Sequence, residues 1–552
     1  MISFGRIVLC GLMMAGMLLS SASQLAAQAP AKPAVVVSLA KADKLLSDIG
    51  YLTRAAGAPE FGGLVTLMAG PYLQGIDAQR PAGVLLQFAG PQPTGVAFLP
   101  VSNLDAFLQQ LENASIEVED AGGGLKRIQV QRPIYLKHSN GWLFASDAEN
   151  NLANVPQDPS ASLGTLPEKY NLAVQLNVRS LDPGLIDMAV SEMKAGFERN
   201  LEAEDDEDKR KLQERVGRQS LESFVRLLQE SDQLTVGWGV DAQKGTTFLD
   251  VDMTAVANTK LAQQMANYTQ LKSSFTGMQV PDAAATLRFT SPIPPEEVAQ
   301  AREALKAMRE QAMSAIESDE KLRTAEARDA AKQIVGSLLD VLVATIEGGK
   351  VDGGAALMLG TDTVEFVAGG FVADGMSLQQ QLKKLVALAK QSGENDAKIE
   401  DLKFNAEQHG GVDFHTFTVP VPADDEKARQ ALGDKLPVVI GTGTKSAFLG
   451  FGEDSSALLK RVIDASAKNG QPEVIPVELH VSLAPILEFA AAMEKDPIVK
   501  VLADTARRAA GKDEIHVTQK AINRGISVRV EVEEGVLQLI GTAAKARNNL
   551  GQ

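Results

Sequence analysis

The 552-residue chain carries 54 basic and 70 acidic residues, a formal charge of −16, with 45 % hydrophobic residues, two Trp, five Tyr and a single Cys. That length exceeds one hydrophobic core and suits two to four domains, while the apolar fraction excludes a disordered chain. The acidic balance argues against a nucleic-acid binder, which needs a basic footprint, and scarce Trp and Tyr leave few platforms for stacking sugars or bases.

The first element is a targeting segment. Arg6 is followed by an uncharged apolar run of 13 residues, Ile7 to Leu19. That is the length of a signal-peptide core and short of the about 20 residues a membrane span takes. Ala27-Gln28-Ala29 is an A-x-A cleavage candidate, with Ser21-Ala22-Ser23 as a second. The expected product is exported to the periplasm or extracellular space, with no transmembrane segment after cleavage. Cys10 lies inside the removed piece behind the large Leu9, so neither a lipid anchor nor a mature cysteine is expected. Loss of one Arg and no acid moves the charge from −16 to −17. Without cysteine the mature chain has no disulfide framework, thiolate metal site or thiol nucleophile.

The remainder reads as a repeat. Four β-rich runs each end near a serine that precedes a helical pattern: Val35 to Leu39, Gln175 to Leu181, Leu287 to Pro292 and Leu479 to Leu483. The reading makes Ser38, Ser180, Ser291 and Ser482 helix N-caps, whose hydroxyls accept from first-turn N–H groups. Two helical stretches follow each opening, then strand pairs at 83–101, 233–252, 354–373 and 514–533. A closing helix is carried by Leu104, Phe107, Leu108 and Leu111 in the first copy and by Leu378, Leu382, Leu385 and Leu388 in the third. An extra hairpin follows the first and third copies, turning at Ser139-Asn140-Gly141 and at Gly441-Thr442-Gly443-Thr444.

The expected fold is therefore α+β: a tandem duplication of a β-α-α-β-β-α unit present in four copies. Antiparallel or mixed sheets are covered by helices, and two long helical-hairpin arms are added. The boundaries are 1–29 for the signal peptide, 30–160 for unit one with its hairpin, and 161–280 for unit two with arm 183–230. Unit three with arm 295–347 and its hairpin spans 283–472, and unit four spans 473–552. In the second arm Val298, Leu305 and Ala312, and Ala301, Met308 and Ala315, recur every seven residues as a coiled-coil seam.

Catalytic motifs are sparse. There is no G-x-S-x-G and no G-x-x-x-x-G-K-[ST]. S-x-x-K occurs at Ser38/Lys41, Ser191/Lys194 and Ser318/Lys321 without the accompanying motifs of serine penicillin-interacting enzymes. No cofactor is implied. His409, Asp413 and His415, with Glu407 nearby, are the candidate metal ligands, since Asp413 and His415 share one strand face. The run Glu202 to Asp208 has six acids in seven residues and reads as a solvated turn. The functional expectation is an exported, non-enzymatic binding or scaffold protein working through protein contacts. A periplasmic carrier of apolar ligands such as lipids is the alternative, and an unrecognised hydrolase the third reading.

Overall fold

A computed structural model describes residues 32–88, 93–202, 207–318, 324–392, 400–494 and 496–550. The expected signal peptide and residues 203–206 of the acidic run lie outside the described residues. Among the described residues fifteen α-helices and twenty strands make the fold mixed α+β, and the pairings there are antiparallel rather than mixed. The chain divides into two compact units, Met1–Ala266 with Ile522–Gly541, and Asn267–Ala521 with Thr542–Gln552.

In the first unit one sheet runs across eleven strands. The lateral order is Val118–Gly122, Leu125–Gln129, Pro133–Ser139, Trp142–Ser146, Pro93–Pro100, Ala82–Phe88, Val35–Leu39, Leu172–Asn177, Ser231–Asp241, Thr246–Ala255 and Gly525–Glu533. Every residue of Trp142–Ser146 is buried because both faces are covered there. Trp142 and Phe144 point into a cluster with Phe98, Leu163 and Tyr170, while Leu143 and Ala145 point into another with Phe107 and Leu111 of the helix Leu104–Asn113. The turn before this strand puts Asn140 and Gly141 at φ 53° and 72°, the left-handed pair a two-residue hairpin needs.

In the second unit the lateral order is Glu400–His409, Val412–Pro420, Lys435–Gly443, Ser446–Phe451, Val364–Phe371, Lys350–Leu359, Ala285–Pro292, Val477–Ser482 and Glu514–Ile522. The same succession of hairpins and returning strands therefore recurs in both units. Its core gathers Met278, Val367, Phe414, Phe448 and Leu459.

Two sequence expectations need correction. The serines at the four corners do not cap helices with their hydroxyls. Ser38 lies within its strand and the following helix begins after Lys41. Asp182, not Ser180, accepts from the N–H of Gly184 at the next helix start. Ser291 bonds Tyr268, and Ser482 donates to Asp513. After Ser38 and Ser291 the helix starts several residues later, and at the other two corners Asp182 and Asp513 accept from the first-turn N–H groups of Gly184 and Ala484 instead. The seven-residue seam is also only half buried. Leu305 is inside, whereas Met308 is exposed, because the helix Pro295–Ser318 meets Ala325–Glu347 along one narrow stripe. Arg309 spans that contact, donating to the carbonyl of Gly336 at 3.0 Å and pairing with Asp340.

Candidate functional site

The most unusual surface is one face of the first unit's sheet. Strand alternation places partners in register on the same face. One row across six strands reads Val84, Val37, Val174, Val236, Val251 and Val528. The row on one side reads Ala82, Leu39, Leu172, Trp238, Leu249 and Val530, and on the other Leu86, Val35, Leu176, Leu234, Met253 and Ile526. All three rows are apolar at every position.

The plate is covered only at its margins. Val84 packs into the cluster beneath the helix Leu104–Asn113, and Met253 and Ile526 pack under the helix Lys260–Ala266. Between them Leu39, Leu172, Val174, Val236, Leu249 and Val251 remain 37–42 % exposed. A sheet with one wet face ordinarily turns polar residues outward. Here six aliphatic side chains occupy that position instead.

The opposite face is covered, carrying the apolar cluster of Val36, Phe144 and Tyr170 and, beside it, a buried polar network. Its central row reads Gly83, Ser38, Ala173, Gly237, Asp250 and Arg529. Asp250 is 1 % exposed. Arg529 donates to both its oxygens, at 2.7 and 2.9 Å, and the ammonium of Lys169 stands 3.1 Å away. The Tyr170 hydroxyl donates to Asp250 at 3.0 Å and to Asp252 at 3.2 Å, and Ser527 donates to Asp252 at 2.5 Å. Burial raises the pKa of Asp250, but the hydrogen bonds and charges of Arg529 and Lys169 outweigh it, and the carboxyl ends below its ordinary value. Burial, helped by Asp252 and Asp250, drives the Tyr170 phenol upward, so it stays a donor. Gly237 lets the Tyr170 ring lie on the strand, since a Cβ there would come within 2.6 Å of it.

A second apolar surface of this unit is a helix turned inside out. In Pro59–Ala69 and the turn after it Phe61, Leu64, Leu67, Met68 and Tyr72 are exposed, Leu67 by 75 %. They recur at three- and four-residue intervals and form one stripe.

The metal candidates read from the sequence are dispersed. Asp413 and His415 do share a face, both within reach of the Gln379 amide. His415 is buried and both ring nitrogens are engaged, Nδ1 accepting from the Asn405 N–H at 3.0 Å and Nε2 paired with the Thr442 hydroxyl at 2.9 Å. Burial, with Lys383 nearby, lowers its pKa, against the opposing pull of Asp413. Asp413 also accepts from Gln408. His409 turns away to Asp464 at 2.8 Å, and Glu407 pairs with Lys460. Among the S-x-x-K serines, Ser191 and Ser318 donate to carbonyls of their own helices, and Ser38 is buried with no hydrogen-bond partner.

The histidines that converge are two others. His480 and His516 face each other directly across neighbouring strands, with ring centroids 4.4 Å apart. The signal for them is present in the sequence as two E-x-H triplets, Glu478-Leu479-His480 and Glu514-Ile515-His516. Only the strand register brings them together. No protein-family model, no curated protein and no solved structure matches this chain.

Proposed function

We propose that the protein is an exported binding protein that holds apolar ligands, such as the acyl chains of lipids, against the open sheet face of its first unit. The carrying observation is the unbroken apolar plate whose six central aliphatic side chains remain 37–42 % exposed. Burying such surface contributes about 25 cal/mol per Å², so an uncovered plate gains from any apolar occupant. The open residues are Val and Leu alone, with no charge among them. Protein hot spots favour Trp, Tyr and Arg, so this floor suits alkyl chains better than a protein partner. Native mass spectrometry of protein purified from its own host tests the reading. A bound apolar mass supports it, and a clean apo mass counts against it.

A second reading, a scaffold acting through protein contacts, is favoured by the exposed stripe of Phe61, Leu64, Leu67, Met68 and Tyr72. Aromatic and Met side chains at helical spacing are the anchors of helix-in-groove recognition. Cross-linking in the periplasm should then trap a discrete neighbour, and Leu67→Asp should abolish that product. The shared strand order supports the duplicated four-unit design, with the paired helices 183–230 and 295–347 as its arms. Under that design the two units are descendants of one ancestral half that have since diverged in what their sheets carry.

A further inference from the structure

We propose that His480, His516 and Glu514 of the second unit form a binding site for a first-row divalent transition ion of the zinc class. The site follows from alternation and register. Residues two apart on a strand share a face, so Glu478 with His480, and Glu514 with His516, point the same way. Pairing sets His480 opposite His516 and Ser482 opposite Glu514, which places one glutamate on each side of the two rings. The donor atoms of His480, His516 and Glu514 lie within 4.8 Å of one another.

Two donors 2.0–2.1 Å from a tetrahedral ion stand about 3.3 Å apart. The His516 Nε2 to Glu514 Oε2 separation is 3.0 Å, already of that size. Closing the remaining gap to the His480 ring requires side-chain torsions only, while paired strands hold the backbone. Glu478 belongs to the surroundings of the site. Its carboxylate stands 3.4 Å from His480 Nε2 and is anchored by the buried guanidinium of Arg288 at 2.5 Å. Arg288 is fixed in turn by the carbonyl of Ile475 at 3.2 Å. Held by Arg288, the Glu478 carboxylate faces the His480 ring and orients it. A carboxylate behind a ligating histidine is the usual arrangement at zinc centres.

The donor chemistry selects the ion. Two imidazoles and one carboxylate suit zinc, nickel or copper, whereas calcium and magnesium take sets of oxygens. The three side chains are 22–38 % exposed, which leaves an entry path and a fourth position for water. The site is distinct from the apolar plate, and its test does not depend on that reading.

Untagged protein stripped with chelator should bind one zinc per chain by calorimetry at neutral pH, and magnesium at the same concentration should give no heat. The His480→Ala/His516→Ala variant should weaken zinc at least tenfold while keeping the far-ultraviolet circular dichroism of the parent. Cobalt added to the unaltered protein should give the visible bands of a tetrahedral nitrogen and oxygen site, a readout that needs no variant. His409→Ala should leave zinc binding unchanged. No zinc binding and no cobalt bands in the parent protein, or binding that survives the double substitution but is lost in His409→Ala, would overturn the assignment.

Discussion

Asp250 shows how far one residue can depart from what its type suggests. A carboxylate on a strand of alternating Phe248, Leu249, Asp250, Val251 and Asp252 would ordinarily face water and let Leu249 and Val251 face the core. The structure reverses both, since Arg529, Lys169 and Tyr170 surround Asp250 and satisfy it. Removing one partner of such a pair leaves the others desolvated. Arg529 and Lys169 are themselves a third to a half exposed, so the cost is discounted. Asp250→Asn should therefore lower unfolding free energy by about 2 kcal/mol at neutral pH in urea titrations. The pH dependence has a definite sign. The folded pKa is below the ordinary 3.8, so the carboxylate's contribution is present above 3.8 and lost as the pH falls below it. The gap between parent and variant should close in that acid range and stay constant from pH 5 upward.

At the scale of elements, the sheet carries both the stabilising network and the proposed binding surface, one on each face. Gly237→Val tests the covered face. Its side chain would strike the Tyr170 ring, and overpacking of this kind costs about 1–3 kcal/mol, which a lowered melting temperature would register. Val236→Glu tests the open face. The position is half exposed, so stability should move by no more than about 0.5 kcal/mol. Binding of a fluorescent fatty-acid probe should nevertheless fall, because a charge would stand in the middle of the valine row. The strands themselves were legible from alternation and from β-branched runs, and so was the Asn140-Gly141 hairpin. Which face would be covered was not. Val35-Val36-Val37 offers apolar side chains to both sides, and the groups that bury Asp250 arrive from Lys169 and Arg529, far away in sequence. The E-x-H triplets stayed unread for the same reason. They lie on strands separated by two helices, Leu483–Met493 and Pro497–Arg508, and only pairing makes one cluster of them. The serine corners fall at or within three residues of the strand ends, yet their hydroxyls do not cap, because each helix starts several residues later or is capped by another side chain.

At the scale of the whole molecule, the chain builds the same strand succession twice. The compact division does not follow chain order, because Ile522–Gly541 belongs with the first unit, where Gly525–Glu533 pairs with Thr246–Ala255 over nine residues. Without that strand, Thr246–Ala255 would be an open edge beside an exposed apolar plate, a combination prone to aggregation. Truncation after residue 521 should therefore give insoluble protein or higher oligomers by size-exclusion chromatography, where a dispensable tail would leave the elution volume unchanged. No helix among the described residues is long and apolar enough to cross a membrane. The proposed role of the open sheet face of the first unit is to hold an apolar ligand. Native mass spectrometry of the protein isolated from its own host tests that most directly. The account predicts a chain that carries an apolar ligand, released by Val236→Glu; a parent protein that flies as the bare polypeptide and takes up no added fatty acid would contradict it.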